Sequence, residues 1–189
     1  MKRSKRGIAL IVMGFLLLLL AFGWVLYNEM EDRQAGTKAE ALLVELKQTQ
    51  AAQKSDAPVM VGEAPFCGTV LIEKLELELP IFDEWSMTHL AEAPCRYAGS
   101  IKDGNLVIAA HNYRNHFGTL HRLQEGDAVV LVDNACARHD YKVMEKSTLD
   151  GTAVADMVSG DWDLTLFTCT KGGKQRVTVR CEKLFFYNK

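Results

Sequence analysis

Twenty consecutive positions, Ile8 to Tyr27, carry no charge and are almost all apolar. As a helix such a run spans roughly 30 Å, the thickness of a bilayer's hydrocarbon core. Beyond it the pattern changes twice. Residues 28–58 are rich in Ala, Glu, Gln and Lys, and KAEALLVELKQTQAAQK has a helical composition. Its apolar seam, Leu42, Leu43 and Leu46, covers about one heptad, which predicts a solvated helical or flexible spacer rather than a coiled coil. From Val59 onward, short runs rich in Val, Ile, Thr and Phe are punctuated by turn clusters such as SIKDGN, LQEGD and TKGGK. That is the pattern of strands joined by tight turns.

The strand-like runs fall at 68–75, 78–82, 105–112, 128–132, 139–148, 163–169 and 176–186, with a helix-like MTHLAEA at 87–93. About eight strands interrupted by two or three short helical pieces predict a mainly β fold, a closed or nearly closed eight-stranded barrel. One N-terminal transmembrane helix precedes it. The expected organisation is a basic tail at 1–6, an anchor at 7–27, a spacer at 28–58 and a barrel domain at 59–189. Roughly 125 residues suffice for a core without disulfides.

Charge sets the orientation. MKRSKR places four basic residues before the apolar run, so the N-terminus should stay cytoplasmic and everything after Tyr27 should lie outside. A cleaved signal peptide would have a shorter apolar region ending in small residues, and LYNEMED offers no such cut site. The expected location is the cell membrane, single-pass. All 24 acidic residues lie beyond the anchor, and this mildly acidic exterior argues against a nucleic-acid partner.

The five cysteines are Cys67, Cys95, Cys136, Cys169 and Cys181. Outside the membrane four of them could form two disulfides, leaving one odd thiol. No CxxC spacing points to structural zinc. His111, His116 and His121 lie five residues apart, a spacing that shares neither a helical turn nor a strand face, so no metal and no cofactor is expected. Cys181 alternates with Val177 and Val179, which predicts burial. Cys67, Cys95 and Cys136 stand in turn-like or irregular contexts. Cys169 differs: it closes DLTLFTC between two threonines, just ahead of a Gly-Gly turn, where side chains emerge at a strand mouth.

A nucleophilic thiol must become a thiolate, and an ordinary cysteine is mostly protonated at neutral pH. A histidine can take that proton and later give it to a leaving amine. His111 ends the apolar run NLVIAAH, where a polar ring is costly unless it faces a cleft or a partner. His89 and His139 look like surface residues, and His116 and His121 suit packing or surface roles. Arg176 opens RVTVR and shares a strand face with Thr178 and Arg180. The short turn before it would join adjacent antiparallel strands and leave Cys169 and Arg176 at one end. A guanidinium there would stabilise both a tetrahedral oxyanion and the thiolate. Arg180 has the same parity but lies roughly 13 Å deeper along the strand.

TLFTC (Thr165–Cys169) resembles the TLxTC signature of the sortases, bacterial membrane-anchored cysteine transpeptidases. LVIAAHNYRNHFGTLHRLQEGDAVVL is similar to that family's histidine region, RVTVRCEKL to its arginine strand, and GTVLIEKLELELPIF to its opening strands. The likeness covers about Gly68 to Leu184, in family order. Three features depart from it: Ala110 stands where many members have glycine, the 149–161 segment is too short for the long helix of some classes, and no second C-terminal membrane helix or pilin-type lid motif is evident. These features favour a protein-anchoring enzyme and leave the class open between D-like and B-like.

The resemblance implies a sortase-like barrel in which Cys169 attacks an LPxTG-like sorting signal of an exported protein, forming a thioacyl enzyme. His111 would manage protons, Arg176 would hold the oxyanion or the peptide, and Thr168 could bond the substrate's main chain. An amine of a peptidoglycan precursor or a pilin would accept the acyl group. Calcium dependence stays open. Two other readings fit an extracytoplasmic chain with these thiols. One is a cysteine peptidase, although papain-like and NlpC-like enzymes place cysteine before histidine and L,D-transpeptidases carry an SHGC-type context absent here. The other is a non-catalytic, membrane-tethered binding domain.

Overall fold

The computed structural model describes residues 5–53 and 57–185; most of the expected basic tail and the Phe186 end of the last expected strand lie outside them. The chain divides into two compact units at Gln34/Ala35; the first helix is α1 (Lys5–Gln53). In the first unit, α1 carries a window long and apolar enough to cross a membrane, none of it buried within the protein.

The second unit begins earlier than the strand pattern alone implies. Along α1, Ala35, Ala39, Leu43, Leu46 and Gln50 are all buried, a single stripe at helical spacing. Residues 35–53 are therefore packed against the barrel and do not form a solvated spacer. Gln50 Nε2 donates to Asn134 Oδ1 at 3.0 Å in a buried contact, and Lys47–Glu78 (2.6 Å) and Lys38–Glu92 (3.3 Å) pair at the rim. Exposed ion pairs are worth about 0–1 kcal/mol each, whereas fully burying one leucine is worth about 1.5–3 kcal/mol. The apolar stripe holds the helix, and the charges set its register.

The barrel is built from β2 (Ala64–Ile72), β3 (Leu77–Phe82), β4 (Cys95–Ala98), β5 (Leu106–Ala110), β6 (Ala128–Asp133), β7 (Arg138–Asp150), β8 (Leu164–Cys169) and β9 (Gln175–Lys183). A three-residue β1 (Val59–Val61) folds back on the start of β2 as a hairpin. The order β2-β3-β4-β5-β8-β9-β7-β6 returns to β2 through antiparallel pairing of Gly68–Leu71 with Val130–Asp133. This closed eight-stranded barrel is the one the strand count predicts. Closure depends on Gly68, which sits at a bulge with φ +144°. Any Cβ there would run into the Val132 carbonyl.

Strand alternation separates two apolar clusters. The interior holds Leu164, Leu166, Val179 and Cys181 among many others, and the 3-10 turn Phe117–Arg122 pushes Phe117 and Leu120 into it. A smaller cluster lies on the opposite face of β5 and β8, where Val107, Ala109 and Phe167 are covered by Met157 of the short helix α3 (Val154–Val158). A second short helix, α2 (Met87–Leu90), starts at Ser86, whose hydroxyl accepts the His89 amide. All five cysteines are free. Cys67 and Cys95 lie in β2 and β4 rather than in irregular chain; Cys181 is fully buried, as its alternation predicts.

Candidate active site

Three neighbouring strands end at one pole. In the parallel pair β5–β8 the last matched residues are Ala110 and Thr168. One step further along each strand come His111 and Cys169, on chains about 4.8 Å apart. In the antiparallel pair β8–β9, Cys169 is the direct partner of Arg176, which places their Cα atoms about 4.5–5.5 Å apart with both side chains on one face. Cys169 shares parity with Phe167 and Thr165, so it opens onto the outer face beside the small apolar cluster. Cys169 and His111 are each half-buried.

Each of the three has local support. The loop after His111 is tightly wound: Phe117 N donates to His111 O (3.2 Å), while His116 N and Gly118 N both donate to Tyr113 O (3.0 and 2.9 Å). A Cβ on Gly118 would lie 2.7 Å from that same carbonyl, so the turn needs glycine. The His111 ring lies 5.0 Å from the Tyr113 ring. Arg176 Nη1 donates to Gly173 O (2.8 Å) and Gln175 O (3.1 Å) in the β8–β9 turn. Its Nε and Nη2 have no partner among the described residues, which leaves donors for a ligand.

Thr168 is placed differently from the expectation. Alternation turns its side chain inward once Cys169 points outward; it is 3% exposed, and its hydroxyl donates to Ala110 O at 2.8 Å. It ties β5 to β8 directly beneath the cysteine and histidine, and its hydroxyl is not offered to a substrate. Arg180 is buried, with Nη1 donating to Met157 O (2.9 Å) and Thr165 Oγ1 (2.8 Å) and Nη2 to Asp156 O. It holds α3 over the outer face. His89 stacks on Phe82 at 4.3 Å, and His121 Nδ1 contacts Gly118 O. His139 pairs with Asp133 at 2.7 Å and is not simply solvated. His116 is fully buried. No grouping of three or more His, Cys, Asp or Glu residues suited to a metal occurs among the described residues.

The family model for the sortase domain matches residues 70–184, more than half of the chain. The chain belongs to the sortase family. No curated protein matches it significantly. Solved sortases share the fold: the sortase D5 transpeptidase of Clostridium perfringens matches at a TM-score of 0.59 and 19% identity, over 79% of this chain and 97% of that one. Sortase C-3 of Streptococcus pneumoniae matches at 0.58 and 21% identity, over 80% and 84%. Sortase C of Clostridium perfringens with a C-terminal cell wall sorting motif matches at 0.57 and 19% identity, over 79% and 91%.

Residue types and order gave no sign of an aromatic ladder beside the candidate site. Trp85, Tyr97 and Phe167 form an edge-to-face ladder with ring separations of 6.2 and 5.2 Å, running over the outer face from a 46% exposed indole towards the cysteine strand. The available signal was the shared parity of Phe167 and Cys169.

Proposed function

We propose that this chain is a membrane-anchored transpeptidase that joins an exported protein bearing an LPxTG-like sorting signal to an amine of the cell wall or a pilin. The register that ends β5, β8 and β9 with His111, Cys169 and Arg176 carries this reading. The Cys169 thiolate attacks the scissile carbonyl, and the resulting oxyanion is held by the Arg176 donors that the turn carbonyls leave over. Collapse breaks the C–N bond, His111 gives its proton to the departing amine, and a thioester remains. The incoming amine attacks that thioester and loses its proton to His111; the C–S bond breaks, returning the thiolate and leaving a new amide.

The half-buried Tyr97 ring and the exposed Trp85 indole, packed beside the buried cluster of Val107, Ala109 and Phe167, suit the apolar residues of such a signal. The sortase C structure with a sorting motif supports that choice of substrate. The basic tail 1–6 and apolar run 7–27 fit an N-in, single-pass anchor that keeps enzyme, exported substrate and lipid-linked acceptor on one surface, raising their effective concentration.

Incubating the full chain in detergent micelles with a sorting peptide and an excess of a glycine-oligomer amine tests this. The expected product is the amide, absent with Cys169→Ala. Free acid alone, even with abundant amine, would make the protein a hydrolase. No turnover would leave a binding module.

A further inference from the structure

At the pole opposite Cys169 lies a cavity of about 470 Å³, within the size range of small-molecule sites. Leu106, at the start of β5, and Lys183, at the end of β9, both line it. Lys183 is seven residues along β9 from Arg176, roughly 23 Å at strand rise. The cavity is therefore separate from the outer-face site. We propose that it binds the terminal carboxylate of a short apolar peptide.

Charge accounting gives the anion. Two acids, Asp83 and Asp133, face the cavity against three bases, Arg96, Lys102 and Lys183, and both acids are committed. Asp83 Oδ2 accepts from Arg96 Nη2 at 2.8 Å while its backbone oxygen accepts from Nε at 2.9 Å. Asp133 Oδ2 meets His139 Nε2 at 2.7 Å, and its Oδ1 accepts the Ala137 amide at 2.8 Å. Lys183 Nζ has no carboxylate partner among the described residues. A lysine lining a partly enclosed pocket without a carboxylate partner is matched by a ligand anion.

The remaining wall gives the rest of the ligand. Pro58, Ile101 and Leu106 supply apolar surface between these polar groups. A peptide alternates apolar side chains with amides and can answer both. A fatty acid would lay methylenes against Arg96, Asp83 and Asp133, at a desolvation cost. The loop bearing Ile101 is preset: Ser100 Oγ donates to Asp103 Oδ2 at 2.7 Å, and Asn105 Oδ1 accepts the Ser100 amide at 3.1 Å. This site does not depend on the proposed transfer chemistry.

Amide resonances of the full chain in detergent micelles, titrated with N-acetyl-Ala-Ala-Ala, its C-terminal carboxamide and octanoate, test the assignment. Saturable shifts are expected at Ile101, Leu106 and Lys183 and not at Cys169 to Gln175. The carboxamide and octanoate should bind about tenfold more weakly, one charge-assisted contact's worth. Lys183→Gln should erase the acid-over-amide preference with an unchanged thermal midpoint, and Lys183→Arg should keep it. Equal binding of acid and amide, tighter binding of octanoate, or no saturable shift would each overturn the proposal.

Discussion

Cys169 and Arg176 are direct partners on the rung of the β8–β9 ladder next to the turn. A cross-strand pair beside a turn is fixed by backbone hydrogen bonds rather than by side-chain packing, so the two residues stay opposite each other on one face despite changes elsewhere. The turn carbonyls of Gly173 and Gln175 take up Nη1. They orient the planar fork and leave the other donors directed by its rigidity.

Replacing that fork with an ammonium tests its part in the chemistry. Lysine would satisfy the turn carbonyls or an oxyanion, but one point charge cannot do both with fixed geometry. Arg176→Lys should lower kcat by about 10²-fold or more, the scale of losing an oxyanion donor, with a smaller change in KM. Steady-state formation of the amide product measures both, and near-normal turnover would remove Arg176 from the site.

The thiols should separate by pH. Burial pushes Cys95 and Cys181 up to about 12, and burial with the neighbouring Asp83 charge does the same for Cys67. They stay protonated at neutral pH, so mild iodoacetamide should label Cys169 and the exposed Cys136 and spare these three. In the unfolded chain the same thiols ionise near pH 8.5. Their contribution is intact below that value and is lost progressively as pH rises towards about 12, because the native state then holds more protons than the unfolded one. Denaturant midpoints should fall between pH 8 and pH 10, and the fall should lessen in Cys181→Ala relative to its own pH 7 value. A midpoint independent of pH over that interval contradicts the burial of these groups.

Leu46 decides whether residues 35–53 belong to the barrel. It is fully buried, so Leu46→Ala should cost about 2–5 kcal/mol from lost burial and a cavity. On a free, solvated helix the same change would be close to neutral. Urea denaturation followed by tryptophan fluorescence distinguishes the two.

That helix shows why part of the fold escaped a reading of the pattern. Its buried stripe contains two alanines and a glutamine, residues too small or too polar to register as a hydrophobic face. The i, i+4 spacing was present, but composition hid it. The strand Cys95–Ala98 was invisible for another reason. CRYA has no alternation of its own and exists because β5 pairs along it, while β3 contributes a single rung at Phe82–Cys95. The longer strands, the apolar N-terminal helix and the pairing of Cys169 with Arg176 were legible, the last because the turn between them is too short to do anything but join adjacent strands. Thr168 was legible too, had the period of two been applied to it: a residue beside an outward cysteine must point in.

Arg180 gives the sharpest test of how the outer face is built. It is 6% exposed, and no carboxylate lies within ion-pair distance among the described residues. Burial holds its pKa below the ordinary arginine value, partly offset by the more distant Glu145 and Asp156. Its donors go to the Thr165 hydroxyl and to the Asp156 and Met157 carbonyls, so one side chain fastens α3 to the strand that carries Cys169. Arg180→Met keeps the volume but strands those acceptors, which should cost about 2–4 kcal/mol. It should also free Met157 from Phe167 and so raise KM for the sorting peptide more than it lowers kcat. Arg180→Lys, able to reach only part of the set, should fall between. Hydrogen exchange at Val154–Val158 should quicken in the methionine variant before the barrel strands do. An unchanged denaturation midpoint together with unchanged exchange in α3 would show that the helix is held by its apolar contacts alone.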